Sequence, residues 1–146
     1  MQRFRFRLDS VLRLRAMRLA TERDKLGRAI AETTKIESAV AALAAERAAA
    51  VDFVKNEPSA GNTELRMLSA YLLAYEGRVA ALKASLEIAR ARTTQQRQRV
   101  IAADRDERLL LKLKDKQRAA WQVAADHELE VLAQESWNAV HFDRDA

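Results

Sequence analysis

Only one short stretch of this 146-residue chain carries residues that interrupt a helix. In residues 56–63, Pro58 removes an amide donor and disfavours a helical residue before it, while Gly61 permits a turn. The other two glycines, Gly27 and Gly77, stand alone in helix-forming sequence, where each costs about 1 kcal/mol relative to Ala without ending a helix. A compact globule needs many more turns than this. The chain is therefore predicted to form two long helices joined by a single turn.

Apolar residues on both sides of this turn repeat every seven positions. Two such rows keep one face of a helix directed at a partner helix, as in a coiled coil. The rows of the first half contain Leu12, Leu19, Leu26, Val40 and Val54, and Leu8, Ala29, Ile36, Leu43 and Ala50. Those of the second half contain Leu65, Leu72, Val79, Leu86, Val100 and Trp121, and Leu68, Tyr75, Leu82, Ala89, Ala103, Leu110, Ala124 and Val131. We therefore predict an all-α fold, a long antiparallel two-helix coiled-coil hairpin with a longer second helix.

The hairpin is predicted to be one domain over residues 1–146. Its first helix covers about 9–55, the turn 56–63, the second helix about 64–135, and an acidic tail 136–146. Because a helix rises about 1.5 Å per residue, the second helix is expected to extend beyond the first. Residues from around Lys112 to Ser136 are then expected to have no intramolecular partner.

Charge is distributed unevenly along the chain, whose net charge is +5. Residues 1–28 hold nine Arg and Lys against three acids, and residues 90–118 hold ten against four. Residues 126–146 hold six acids against Arg144. The hairpin places the two basic stretches side by side, which favours a partner of opposite potential.

Nucleic acid is an alternative partner for the basic stretches. The side chains that could contact phosphates are Arg5, Arg7, Arg13, Arg97, Arg99 and Lys112. Interspersed acids and the lack of a recognised nucleic-acid-binding motif or stacking platform argue against this reading. We therefore predict a protein partner rather than nucleic acid.

Patterns that carry enzyme chemistry are missing from the sequence. Three scattered glycines form no phosphate-binding loop, and the chain has no cysteine. His127 and His141 are fourteen positions apart, too far to place two metal ligands on one helix face. We predict no enzymatic activity, no cofactor, no metal and no small-molecule substrate. No apolar run has the length of a membrane span, and the basic start lacks the apolar core of a secretory signal.

Three aromatic residues are candidates for partner contact. Tyr71 and Tyr75 are one helical turn apart, with Tyr75 on the predicted seam and Tyr71 beside it and exposed. Their alternative role is to cover the seam. Trp121 fits the seam but lies in the predicted overhang, so it is a candidate anchor for another protein.

The beginning of the chain resembles that of the FliJ family, coiled-coil proteins of the bacterial flagellar type III export apparatus. The family pattern F-x-F-x-L-x-x-V-L-x-x-R matches Phe4, Phe6, Leu8, Val11, Leu12 and Arg15. The resemblance extends to the length, the single break near Pro58 and the basic stretch at residues 112–118. The acidic motif typical of the family near the C-terminus is matched only in part at residues 128–133. Injectisome stalk proteins share this architecture and are an alternative.

The resemblance implies a cytoplasmic protein, peripherally associated with the inner-membrane export apparatus. Its implied partners are the flagellar export ATPase hexamer, the cytoplasmic domain of the membrane export gate, and export chaperones. The gate-binding surface that the family carries after its turn would correspond to Tyr71, Tyr75 and Leu82. The ATPase-facing end would comprise the basic residues near the termini, Arg5, Arg7, Arg13, Lys112, Lys114, Lys116 and Arg118.

Overall fold

The computed structural model describes residues 3–142, which form two α-helices that pack against each other. Helix α1 spans Asp9–Asn56 and helix α2 spans Asn62–Phe142, with 48 and 81 residues. The predicted all-α fold with a longer second helix is confirmed. Helix α2 continues beyond the predicted end at about residue 135, because residues 136–142 contain neither Gly nor Pro. Asp143 and Asp145 of the predicted acidic tail lie outside the described residues.

The turn between the helices occupies residues 57–61. Its backbone closes through a hydrogen bond from the Ala60 amide to the Glu57 carbonyl, at 3.2 Å. The Gly61 amide donates to the Glu64 carboxylate at 2.8 Å. This contact caps the start of α2, because amides at a helix N-terminus lack partners within the helix.

The chain divides into two compact units. Unit 1 comprises Met1–Leu19 and Ala102–Ala146, and unit 2 comprises Ala20–Ile101. Within unit 1, Asp9 contacts Lys114 and Arg15 contacts Asp106, so its two helical segments are antiparallel. The order of contacts in unit 2 is antiparallel as well. The assignment of residues 1–146 to a single domain stays a prediction.

The core of the described residues is thin and partly built from alanine. Its buried apolar side chains are Phe6, Leu12, Leu19, Leu43, Leu86, Ala89, Ala103 and Ala125. Six of these eight belong to the predicted heptad rows, and the exceptions are Phe6 and Ala125. A side chain between only two helices stays open to solvent on its remaining sides. Most other residues of the predicted rows are therefore only half-buried.

Five positions of the predicted rows are exposed rather than covered, namely Leu8, Leu65, Trp121, Ala124 and Val131. Leu65 is 56% exposed, because Leu68 and Tyr71 occupy the α2 face that meets the end of α1. Ala124 is exposed and Ala125 is buried in its place. At Ala125 the heptad register no longer applies, since α1 begins only at Asp9 and the chain before it is not helical.

The seam of unit 2 contains two polar contacts. Thr33 and Thr93 face each other with hydroxyl oxygens 3.1 Å apart, and Thr93 is 6% exposed. The Gln96 amide donates to the Glu22 carboxylate and, at 3.0 Å, to the Glu22 carbonyl. The Gln96 hydrogen bond lowers the pKa of Glu22 below its ordinary value, with a further contribution from nearby Lys25. Gln96 favours one alignment of the helices, because a shifted alignment removes both of its partners on α1. The threonine hydroxyls also bond to the Ala29 and Ala89 carbonyls of their own helices, so a shift removes only the contact between them.

Candidate partner-binding surfaces

Residues 3–8, here named the N-terminal strap, precede α1 in a non-helical conformation. Side chains along an extended backbone point alternately to opposite sides. Phe6 is buried and Phe4 half-buried, whereas Arg3, Arg5 and Arg7 are exposed. The alternating Arg and Phe residues therefore separate the strap into an apolar side and a basic side.

The apolar side of the strap contacts α2. The Phe4 and Trp121 rings have centroids 5.9 Å apart, and the Lys114 ammonium lies 5.8 Å from the Phe6 ring centroid. Lys114 also forms an ion pair with Asp9 at 2.9 Å, and Asp9 in turn pairs with Arg13 at 2.9 Å. The hydrogen bond from Lys114 is the main reason that the pKa of Asp9 lies below its ordinary value.

These contacts correct the prediction for the second half of α2. Trp121 was expected to lack an intramolecular partner, but it packs against Phe4 and is 37% exposed. Lys114 also lies in the region expected to overhang, yet it contacts Asp9 and Phe6. For Trp121 the prediction failed because it counted only helical residues, and the strap extends the partner segment before α1. For Lys114 it underestimated the overlap of the helices themselves, since Asp9 is the first residue of α1.

The strap and the start of α1 border a groove of about 650 Å³. Its lining, named here the terminal surface, consists of Arg3, Phe4, Arg5, Phe6, Asp9, Arg13 and Lys114. Four cations against one carboxylate make this surface basic. Anionic groups such as the carboxylates of a partner protein are the ligands that it suits.

The structure brings together some of the predicted basic residues and not others. Arg5, Arg13 and Lys114 all line the terminal surface. Arg7, Lys112, Lys116 and Arg118 are exposed but are not part of that lining. Their assignment to partner binding stays a prediction.

A second groove lies beside the turn, in unit 2, with a volume of about 310 Å³. Its lining, named here the turn groove, consists of Ala50, Phe53, Val54, Glu64, Met67, Leu68 and Tyr71. Phe53 and Met67 are 68% and 69% exposed. Large apolar side chains left this open to water are typical of protein-binding surfaces.

Of the three predicted gate-binding residues, only Tyr71 lines this groove. Tyr71 lines it and is half-buried, so the expectation that Tyr71 is exposed was wrong. It is partly covered because it lies on the α2 face towards α1. Tyr75 is also half-buried, with the Arg47 guanidinium 5.6 Å from its ring centroid. Leu82 is half-buried, as a seam residue would be.

Four large apolar residues that shape these surfaces were not predicted as contact residues from the sequence, namely Phe4, Phe6, Phe53 and Met67. For Phe4 and Phe6 a signal was present, since alternation of Phe with Arg indicates an extended segment rather than a helix. Phe53 and Met67 fall outside the heptad rows, next to the turn. Because they are apolar but lie outside the seam, both could have been identified as candidate contact residues.

No three His, Asp or Glu side chains come close enough together, within residues 3–142, to hold a metal ion. Over the same range, neither helix has a segment apolar and long enough to span a membrane.

The chain matches the family model described as "Flagellar FliJ protein" over residues 4–128. This match covers most of the chain, from residue 4 of the strap through α1 and the turn to residue 128 of α2. The chain belongs to the FliJ family. No curated protein and no solved structure gave a significant match.

Membership in the FliJ family identifies a coiled-coil protein related to flagellar protein export. The family is one of structural, stalk-like proteins rather than enzymes. The structure explains three positions of the family pattern in this chain. Its two Phe positions hold the strap against α2, and its Leu12 position is buried in the helix seam.

Proposed function

We propose that this FliJ-family protein is a stalk-like partner of the flagellar export ATPase ring, which it links to the membrane export gate and to export chaperones. In this role it has no catalytic activity of its own and acts in the cytoplasm, peripherally associated with the inner-membrane export apparatus. The family match over residues 4–128 carries the proposal. It also favours the flagellar branch over the injectisome branch.

The terminal surface is the proposed contact with the ATPase. Arg3, Arg5 and Arg13 present guanidinium groups, which bind carboxylates through paired hydrogen bonds. The Phe4 and Trp121 rings supply apolar area next to these charges. Charged groups beside aromatic anchors are a common composition for a specific protein interface.

The turn groove is the proposed contact with the export gate. Phe53 and Met67 are the most exposed large apolar side chains in its lining, and Tyr71 forms part of its wall. Tyr75 and Leu82 continue along the same helix as partly covered neighbours. The surface that binds export chaperones is not assigned to particular residues.

Direct binding to the purified flagellar export ATPase tests the proposal. The Arg5→Glu/Arg13→Glu variant should bind about tenfold or more weakly, because reversal of two interfacial charges replaces attraction by repulsion. Lys35→Glu is the matched control, since Lys35 is exposed in unit 2 and distant in sequence from the terminal surface. Its affinity should stay close to that of the wild type.

Two results would count against this assignment. The first is equal affinity of the wild type and the double variant for the ATPase. The second is tight binding of the wild type to nucleic acid at physiological salt together with no ATPase binding, which would favour a basic nucleic-acid-binding coiled coil.

A further inference from the structure

The part of α2 beyond Ala125 carries an apolar stripe. Leu129, Leu132, Ala133 and Val140 follow one another at the spacing i, i+3, i+4 and i+11, which places them on one side of a helix. Ser136 lies on the same side, and its hydroxyl donates to the Ala133 carbonyl at 2.9 Å. The three large residues of this stripe, here named the C-terminal face, are 55%, 57% and 63% exposed. A helix stripe of this kind is usually covered by another helix.

Carboxylates border the C-terminal face on both sides. Successive residues of an α-helix are about 100° apart, since there are about 3.6 residues per turn. This places Asp126 and Glu130 along one edge and Glu128 and Glu135 along the other. No Lys or Arg occurs between Arg118 and Arg144. The border is therefore uniformly acidic.

An aromatic side chain adds contact area at one edge. Trp137 is 60% exposed and lies beside the edge that carries Glu130. Its ring stacks on His141 with centroids 4.0 Å apart, and a nitrogen of His141 lies 3.1 Å from the Trp137 carbonyl oxygen. A tryptophan held in place by a neighbour is well suited to anchor a partner at an interface.

We infer that the C-terminal face binds a basic amphipathic helix of another protein. The apolar stripe matches the apolar side of such a helix, and the four carboxylates match Lys or Arg residues that flank it. A second copy of this chain is not expected to bind at the C-terminal face. Two copies paired through this face would bring eight carboxylates together with no intervening cation.

This site differs from the surfaces assigned under the proposed function. The terminal surface is basic and the turn groove lies in unit 2, whereas the C-terminal face is acidic and belongs to unit 1. Binding of a helix at the C-terminal face is therefore independent of ATPase and gate binding.

Two designed peptides of about 20 residues provide the test. Both carry Leu at the i, i+3, i+4 and i+7 positions, but one has Lys and the other has Glu at the flanking positions. Fluorescence anisotropy of each labelled peptide with the full chain, at about 0.1 M salt, measures their affinities. The Lys peptide should bind at least about tenfold more tightly than the Glu peptide.

Variants of the full chain locate the site. Leu129→Ala/Leu132→Ala should weaken binding of the Lys peptide about tenfold or more, because it removes the centre of the apolar stripe. Val131→Ala is the matched control, since Val131 is 40% exposed and lies off the stripe, about 160° from Leu129 and about 100° from Leu132 around the helix. Its affinity should be unchanged. Circular dichroism should show equal helicity for all variants.

A charge exchange tests the acidic border separately. Glu128→Lys/Glu130→Lys/Glu135→Lys should reverse the preference, so that the Glu peptide binds more tightly than the Lys peptide. Equal binding of the two peptides to the wild type, or undiminished binding to Leu129→Ala/Leu132→Ala, would overturn the inference. A dimer in sedimentation that disappears in the leucine variant would instead identify a second copy as the occupant.

Discussion

At the scale of single residues, Asp9 joins the first turn of α1 to α2. Its carboxylate accepts hydrogen bonds from Lys114 and from Arg13. Lys114 also lies near the Phe6 ring, so this one cation contacts both the strap and α1. Asp9 therefore contributes to the position of the segment that carries the family pattern.

The lowered pKa of Asp9 predicts a pH-dependent contribution to stability. Because the folded protein favours the ionised carboxylate, the stabilisation is present above the unfolded pKa and is lost as pH falls through the folded pKa. Asp9→Asn should therefore unfold at lower urea concentration than the wild type at pH 7. The difference should shrink as the pH is lowered past the ordinary value of 3.8.

Two further measurements distinguish this effect from a general change in charge. Lys114→Met should raise the pKa of Asp9 towards its ordinary value, as measured by carbon NMR. Asp24→Asn, which removes only a pair with Arg28 on the same helix, should alter stability little. A pH-independent effect of Asp9→Asn would contradict the assignment.

At the scale of secondary-structure elements, the alignment of α1 with α2 in unit 2 depends on polar residues as well as apolar ones. The covered residues of this seam include the buried Ala89 and the half-buried Ala29 and Ala50, whose side chains are small, so apolar packing discriminates weakly between alternative alignments. Glu37 pairs with Arg90 at 3.1 Å at the edge of the seam. Thr33 and Thr93 lie between the helices and contact each other directly.

The threonine pair gives a prediction that a double-mutant cycle can measure. Thr93→Val alone should lower the free energy of unfolding by about 1 kcal/mol, because it removes one partner of a hydroxyl pair in the seam. Thr33→Val/Thr93→Val should lose less than the sum of the two single changes, since no hydroxyl then faces a methyl group. Urea unfolding followed by circular dichroism provides the values. Additive losses would show that the two hydroxyls are not coupled.

At the scale of the whole molecule, the described residues offer surfaces of different chemistry. The terminal surface is basic and belongs to unit 1, whereas the turn groove is apolar and belongs to unit 2. A protein that links two larger partners needs separate contacts for each. The different chemistry of the two surfaces suits such a role.

Separate surfaces predict separable loss of binding. Met67→Glu should weaken binding to the purified cytoplasmic domain of the export gate about tenfold, because it places a charge among the apolar residues of the turn groove. It should leave ATPase binding unchanged, and Arg5→Glu/Arg13→Glu should have the opposite pattern. Leu73→Glu, on a residue 74% exposed and outside the groove lining, is the control for added charge. If either variant weakens both interactions equally, the two surfaces are not assigned correctly.

Sequence patterns were enough to predict both helices, their turn and most of the seam. Pro58 and Gly61 locate the turn because their backbone restrictions are local properties of those residues. Leu12, Leu19, Leu43 and Leu86 were predicted in the seam because heptad spacing places them on one helix face. The pattern at Phe4 and Phe6 also indicated the FliJ family, which the family match confirmed.

The tertiary structure decided what each surface residue contacts. Periodicity describes one helix at a time, so it could not show that the strap covers Trp121 or that Tyr71 is half-buried beside Phe53. It could not show that Lys114 pairs with Asp9, because these residues are 105 positions apart in the chain. The sequence thus determined the elements and the family, since both depend on local pattern. Folding decided the surfaces, since they depend on which distant residues meet.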